Sequence, residues 1–150
     1  MADRPFTPRV LGEIAIRCRD FEAMVAFYGD TLGLTRLPGG AWPGLVFFEL
    51  GESFGGHTQV LALFAHDGVQ RDVHPTAAAA PEAGAGSTLH HLALALPHAE
   101  QAAAAEWLAA RGHEARFQDF PWVGWRGLFT RDPDGNTVEL VTAVPGEPAP

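Results

Sequence analysis

Lysine is absent from the 150 residues, and all ten basic side chains are arginine. Schiff-base chemistry, lysine general bases and the Walker A phosphate loop are excluded together. Cys18 is the only cysteine, so no disulfide closes within the chain and a thiolate-built zinc site lacks its ligands. Hydroxyl chemistry is thin as well, with one tyrosine and two serines. Positive charge is scarce: the formal net charge is -8 and the pI near 5.2, which argues against a nucleic-acid partner, whose affinity comes from basic residues displacing counterions. No apolar run is long enough to span a bilayer, and MADRPFTPRV lacks the basic stretch and apolar core of an export signal. The expectation is a cytoplasmic protein with neither nucleic acid nor membrane as partner. What is present suits one globular domain, with 47% hydrophobic and 19% charged residues. Seven histidines beside the arginines and carboxylates leave imidazole, carboxylate and guanidinium as the chemical repertoire, the side chains of metal and anion sites.

The most informative pattern is an internal repeat. Leu11-Gly12-Glu13-Ile14-Ala15-Ile16-Arg17-Cys18 and Leu89-His90-His91-Leu92-Ala93-Leu94-Ala95-Leu96 alternate in the same way, which predicts a strand in each. A helix follows each strand. Asp20 is placed to cap one that runs through Leu32, with Phe21, Val25, Tyr28 and Leu32 on one face and Gly33 as its stop. Pro97 opens an alanine-rich helix through Arg111, ended by Gly112. Further strands are expected at about 34–37, 44–50 and 58–64, then at 114–118, 124–131 and 136–143. The order is βαβββ twice: module one at about 10–64, module two at about 88–143, a linker or flap at 65–87, and a disordered tail at 144–150. Alternation puts Glu13, Ala15 and Arg17 on one face of the first strand and His91, Ala93 and Ala95 on the matching face of the second. Polar residues among small ones mark a cavity wall.

LGEIAIRCRDFEAMVAFYGDTLGL, LHHLALAL and GWRGLFTRDPDGNTVELV together resemble the vicinal oxygen chelate superfamily, which groups glyoxalases, extradiol dioxygenases, thiol transferases and bleomycin-resistance proteins. RDPDGNTVEL carries the resemblance furthest. It implies an α+β fold of paired βαβββ modules, mixed sheets curved into a cup with the helices outside, and a homodimer. It also implies a divalent metal ion (Mn, Fe, Zn, Ni or Mg) held by residues of first and last strands, which fall here on Glu13, His91 and Glu139. The position matching Glu139 in module one is Ala62, so the family's set of four donors is reduced to three candidates, one imidazole and two carboxylates. That set is oxygen-rich and suits harder cations.

Around these, Arg17 and Arg126 are candidates for gripping an anionic substrate, and Trp125 for lining its pocket. His57 and His90 alternate away from the inward face and read as second-sphere residues. Gly51-Glu52-Ser53-Phe54-Gly55 matches the G-x-S-x-G pattern, but a nucleophile elbow needs a helix after it, whereas Gly55-Gly56 leads into a strand. The expected function is metal-dependent catalysis on a small oxygenated substrate, by chelation and Lewis-acid stabilisation of anionic charge. The alternative is a ligand-sequestering protein of the bleomycin-resistance type, favoured by the missing carboxylate at Ala62.

Overall fold

The computed structural model describes residues 8–67 and 89–147. From residue 68 onward the expected flap lies outside the described residues, as does the tail from 148. The chain divides into two compact units between residues 81 and 82, and each unit holds one βαβββ module.

In the first unit β1 (Glu13–Cys18) leads into α1 (Phe21–Ala26). The Asp20 side chain accepts the Ala23 N–H at 3.1 Å, the cap expected from its residue type. The single helix expected as far as Leu32 is instead divided, because Phe27–Thr31 widen into a π-helical turn in which the Leu32 N–H bonds to the Phe27 carbonyl. The wider turn buries both Phe27 and Tyr28, with their rings edge to face at 5.2 Å.

β2 (Thr35–Trp42), β3 (Leu45–Glu52) and β4 (Thr58–Ala65) complete a sheet of order β1-β4-β3-β2, with β1 parallel to β4 and the other pairs antiparallel. β2 outruns the expected 34–37 because its register shifts between Arg36 and Ala41 and pairing then resumes at Ala41 and Trp42. Ile16, Cys18, Val46, Phe48, Leu61 and Leu63 are buried, as are Met24 and Val25 of α1. Ser53 sits in the loop before β4 and donates to the Leu11 carbonyl, a tie between strands.

The second unit repeats the topology. β5 (Leu92–Ala95) is followed by a 3-10 turn (His98–Glu100) and α2 (Gln101–Ala110); β6 (Arg116–Phe120), β7 (Trp125–Arg131) and β8 (Thr137–Ala143) then give the order β5-β8-β7-β6. An alanine-rich helix has few large side chains with which to hold a sheet. Leu108 supplies apolar burial, whereas Trp107 is exposed beneath the Arg111 guanidinium. The other anchor is polar. Gln101 is completely buried; its Nε2 donates to the carbonyls of Arg126 and Leu140, both at 2.9 Å, and its Oε1 accepts from Arg126 Nε at 2.6 Å. The expected tail begins with Val144 still tied to the sheet, its N–H donating to the Gly124 carbonyl. Among the described residues no helix is long and apolar enough to cross a membrane.

Candidate functional site

Strand alternation sends Val138 and Leu140 of β8 toward the helix side and Glu139 to the other face. β8 lies between β5 and β7, where Glu139 is directly opposite Ala93 on one side and Phe129 on the other. His91 stands just before β5, and its ring turns to the face that Glu139 shares with Ala93. Its Nε2 stands 3.3 Å from Glu139 Oε2. The histidine is partly exposed while the carboxylate is 6% exposed. Burial pushes the Glu139 carboxyl above the ordinary carboxylate range, and the nearby His91 offsets part of that rise.

The turn entering β8 fixes this register. Asp132 accepts from the backbone N–H groups of Asp134 and Asn136 and from Asn136 Nδ2, at 2.8 to 3.0 Å, and its own N–H donates to the Asn136 carbonyl. Gly135 takes φ +83°, a conformation that favours glycine. The DPDGN segment is thus a self-bonded turn whose effect is to place Glu139 opposite Phe129.

Gly127 was not among the residues singled out from sequence. A Cβ there would overlap Glu139 Oε1 and stand 2.7 Å from Phe129 Cε2, so the bare backbone gives the carboxylate its place. A glycine inside the apolar strand Trp125–Arg131 was the available signal, since such a residue marks close approach by another group. Gly127→Ala is expected to push the Glu139 side chain off its position and break the 3.3 Å approach to His91 while the sheet persists. A crystal structure of the variant checks this, and an unmoved carboxylate would show that Gly127 has no such role.

The walls of this face are aromatic. Phe129 meets His91 at 6.5 Å and Phe120 at 6.2 Å between ring centroids, and Phe120 meets Trp122 at 5.5 Å. Trp125 pairs with Phe120 across the β6–β7 ladder and is 43% exposed. Arg126, one residue on, alternates to the helix side, where Gln101 holds its Nε and its guanidinium lies 4.7 Å from the Phe117 ring. It is not brought together with His91 and Glu139.

In the first unit Ala15 pairs with Ala62 as Ala93 pairs with Glu139. Glu13 takes the place that His91 takes in module two and is exposed; Arg17 lies on the same face, half-buried, opposite Phe64. His57 precedes β4, with its ring against the backbone of Gly12. Among the described residues no group of three or more His, Cys, Asp and Glu is placed to hold a metal ion. The spacing of His91 Nε2 and Glu139 Oε2, that of an ion pair, is also one that two ligand atoms of a single ion would take. Two atoms bound to the same ion at about 2.0–2.2 Å stand about 3 Å apart, close to the 3.3 Å observed.

A sequence model of the Glyoxalase/Bleomycin resistance protein/Dioxygenase superfamily matches residues 10–140. The chain belongs to this superfamily. Solved members of similar fold include a glyoxalase/bleomycin resistance protein/dioxygenase from Nocardioides, 25% identical over 97% of this chain and 91% of its own, with a TM-score of 0.66. A lactoylglutathione lyase from Agrobacterium tumefaciens is 28% identical, covering 92% of this chain and 95% of its own at a TM-score of 0.64. A glyoxalase-related enzyme from Fulvimarina pelagi is 26% identical over 90% and 88%, at a TM-score of 0.63. Among curated proteins none is similar enough to match.

Proposed function

We propose that this superfamily member is a metal-dependent enzyme acting on a small oxygenated substrate, with His91 and Glu139 as ligands of a divalent ion. The observation that carries the reading is the 3.3 Å approach of a half-exposed imidazole to a buried carboxylate at matched positions of the repeat. A bound divalent ion would supply Lewis acidity toward substrate oxygens. The protein's own contribution is to hold the Glu139 carboxyl in a poorly hydrated place, to present His91 Nε2 beside it, and to offer the Phe129 and Phe120 rings to an apolar part of the substrate. Trp125 and Arg17 are proposed to meet substrate, and a homodimer is proposed as the working assembly.

Glu13 is proposed as a further oxygen donor, on its residue type and its place in the repeat. Glu13→His is then expected to retain binding and to move the preference from harder cations toward Ni(II) and Zn(II). Competitive titration checks this, and an unchanged order of preference removes Glu13 from the ligands.

A second reading, sequestration of a small molecule without turnover, is favoured by Ala62, a wholly buried residue without donor atoms at the module-one position that matches Glu139. Elemental analysis of protein purified without chelator, followed by chelation, separates the two. A stoichiometric ion whose removal abolishes turnover supports the enzyme. A metal-free protein with tight ligand affinity supports sequestration.

A further inference from the structure

Adjacent residues of a strand point to opposite faces, and by that rule His90 turns away from His91. β5 begins only at Leu92, so both histidines precede the pleat and neither is bound by its alternation. Its ring turns back to His91, with centroids 5.0 Å apart and the two Nδ1 atoms at 2.7 Å. At that distance one nitrogen carries a proton and the other a lone pair, since two lone pairs or two N–H groups would repel. His91 is therefore engaged at both ring nitrogens, with Nδ1 bonded to His90 and Nε2 3.3 Å from Glu139 Oε2.

We propose that His90 is a positioning residue that acts through His91: its Nδ1 bond holds the imidazole with Nε2 facing Glu139. The proposal rests on the reading of His91 and Glu139 as ion ligands. The usual partner of a ligand histidine is a carbonyl or a carboxylate, which only accepts. An imidazole partner does both. When His91 carries its proton on Nε2 and donates to Glu139, His90 donates to the vacant Nδ1; when Nε2 must offer its lone pair to a cation, His91 carries the proton on Nδ1 and His90 accepts it. In either state the ring keeps one orientation. Without this bond, rotation of the ring and exchange between tautomers would leave Nε2 correctly presented for only part of the time.

The test compares wild type with His90→Phe, which keeps a ring but removes the bond, and His90→Asn, whose amide donates or accepts by flipping. Zn(II) alone is titrated calorimetrically into the full-length chelator-treated chain, and nitrogen-15 spectra of the imidazoles are recorded without metal. His90→Phe is expected to weaken Zn(II) binding about ten- to a hundredfold and to change the His91 ring-nitrogen shifts toward averaged values, whereas His90→Asn remains within about threefold of wild type. Wild-type affinity in His90→Phe, or equal losses in both variants, overturns the proposal. If wild type takes up no Zn(II), the ion-ligand reading fails, and the spectra still decide the role of His90: His91 shifts that change in His90→Phe and return in His90→Asn support positioning, and shifts indifferent to residue 90 overturn it.

Discussion

Replacing Glu139 with glutamine is expected to abolish divalent-ion binding while making the ion-free protein more stable at neutral pH. The two effects have one cause. Loss of a partner that merely orients a ligand weakens a site about ten- to a hundredfold, so loss of a charged ligand is expected to cost on the order of a hundredfold or more. Stability moves the other way because burial holds the folded-state pKa of Glu139 above its ordinary value, with His91 only partly opposing. The folded chain then binds the proton more tightly than the unfolded chain. Such a group contributes stability that is fully present below the unfolded pKa and is lost as pH rises through the folded one. At neutral pH the wild-type protein therefore holds an ionised carboxylate in a poorly hydrated place, a burden that glutamine lacks. Thermal melts of chelator-treated proteins should show Glu139→Gln ahead at neutral pH, by about 2–4 °C for each kcal/mol recovered, and the gap closing in acid. A gap independent of pH would show that the carboxylate carries no such cost, and unchanged ion affinity would remove Glu139 from the ligands.

Gln101→Ala is expected to be among the most destabilising single changes in the second unit. The side chain is completely buried and joins α2 to β7 and β8 through three hydrogen bonds, one of them from the Arg126 guanidinium. Truncation leaves that guanidinium without its acceptor and opens a cavity, so a loss of about 2–4 kcal/mol follows. Gln101→Leu separates the terms, because it restores the volume but not the bonds. If leucine recovers wild-type stability in a urea melt, filling the space is all that Gln101 does; if it remains as poor as alanine, the hydrogen bonds hold the helix to the sheet that carries Glu139.

The repeat was legible because strand alternation has a period of two and survives without any knowledge of partners. Leu92, Leu94, Val138 and Leu140 declare their side of the sheet, and with it the side of Glu139. Long-range polar contacts have no such period. Gln101 looks like any helix-surface glutamine, yet the scarcity of large apolar side chains on α2 makes it the anchor. Arg126 was grouped with substrate contacts by its charge, although its strand position already assigned it to the helix side. His90 escaped the alternation rule because its strand begins two residues later, at Leu92, a boundary set by pairing with β8. The π-helical turn was equally hidden, since a sequence read at 3.6 residues per turn carries no mark of where the helix widens, at Phe27–Thr31.

Ala62 sets the order in which the two halves of the chain could come to resemble each other. It is wholly buried, lies opposite Ala15 and Phe47, and the Phe47 ring is in edge contact with those of Trp42 and Phe64. A carboxylate introduced there by one substitution would enter an aromatic wall, where an uncompensated charge costs several kcal/mol. Module two bears part of that cost at Glu139 and lessens it, because Gly127 clears the space and His91 stands beside the charge. An acidic residue in module one would first require a thinner wall around it, so the path from three candidate donors to four runs through the neighbours of residue 62 before it reaches residue 62 itself.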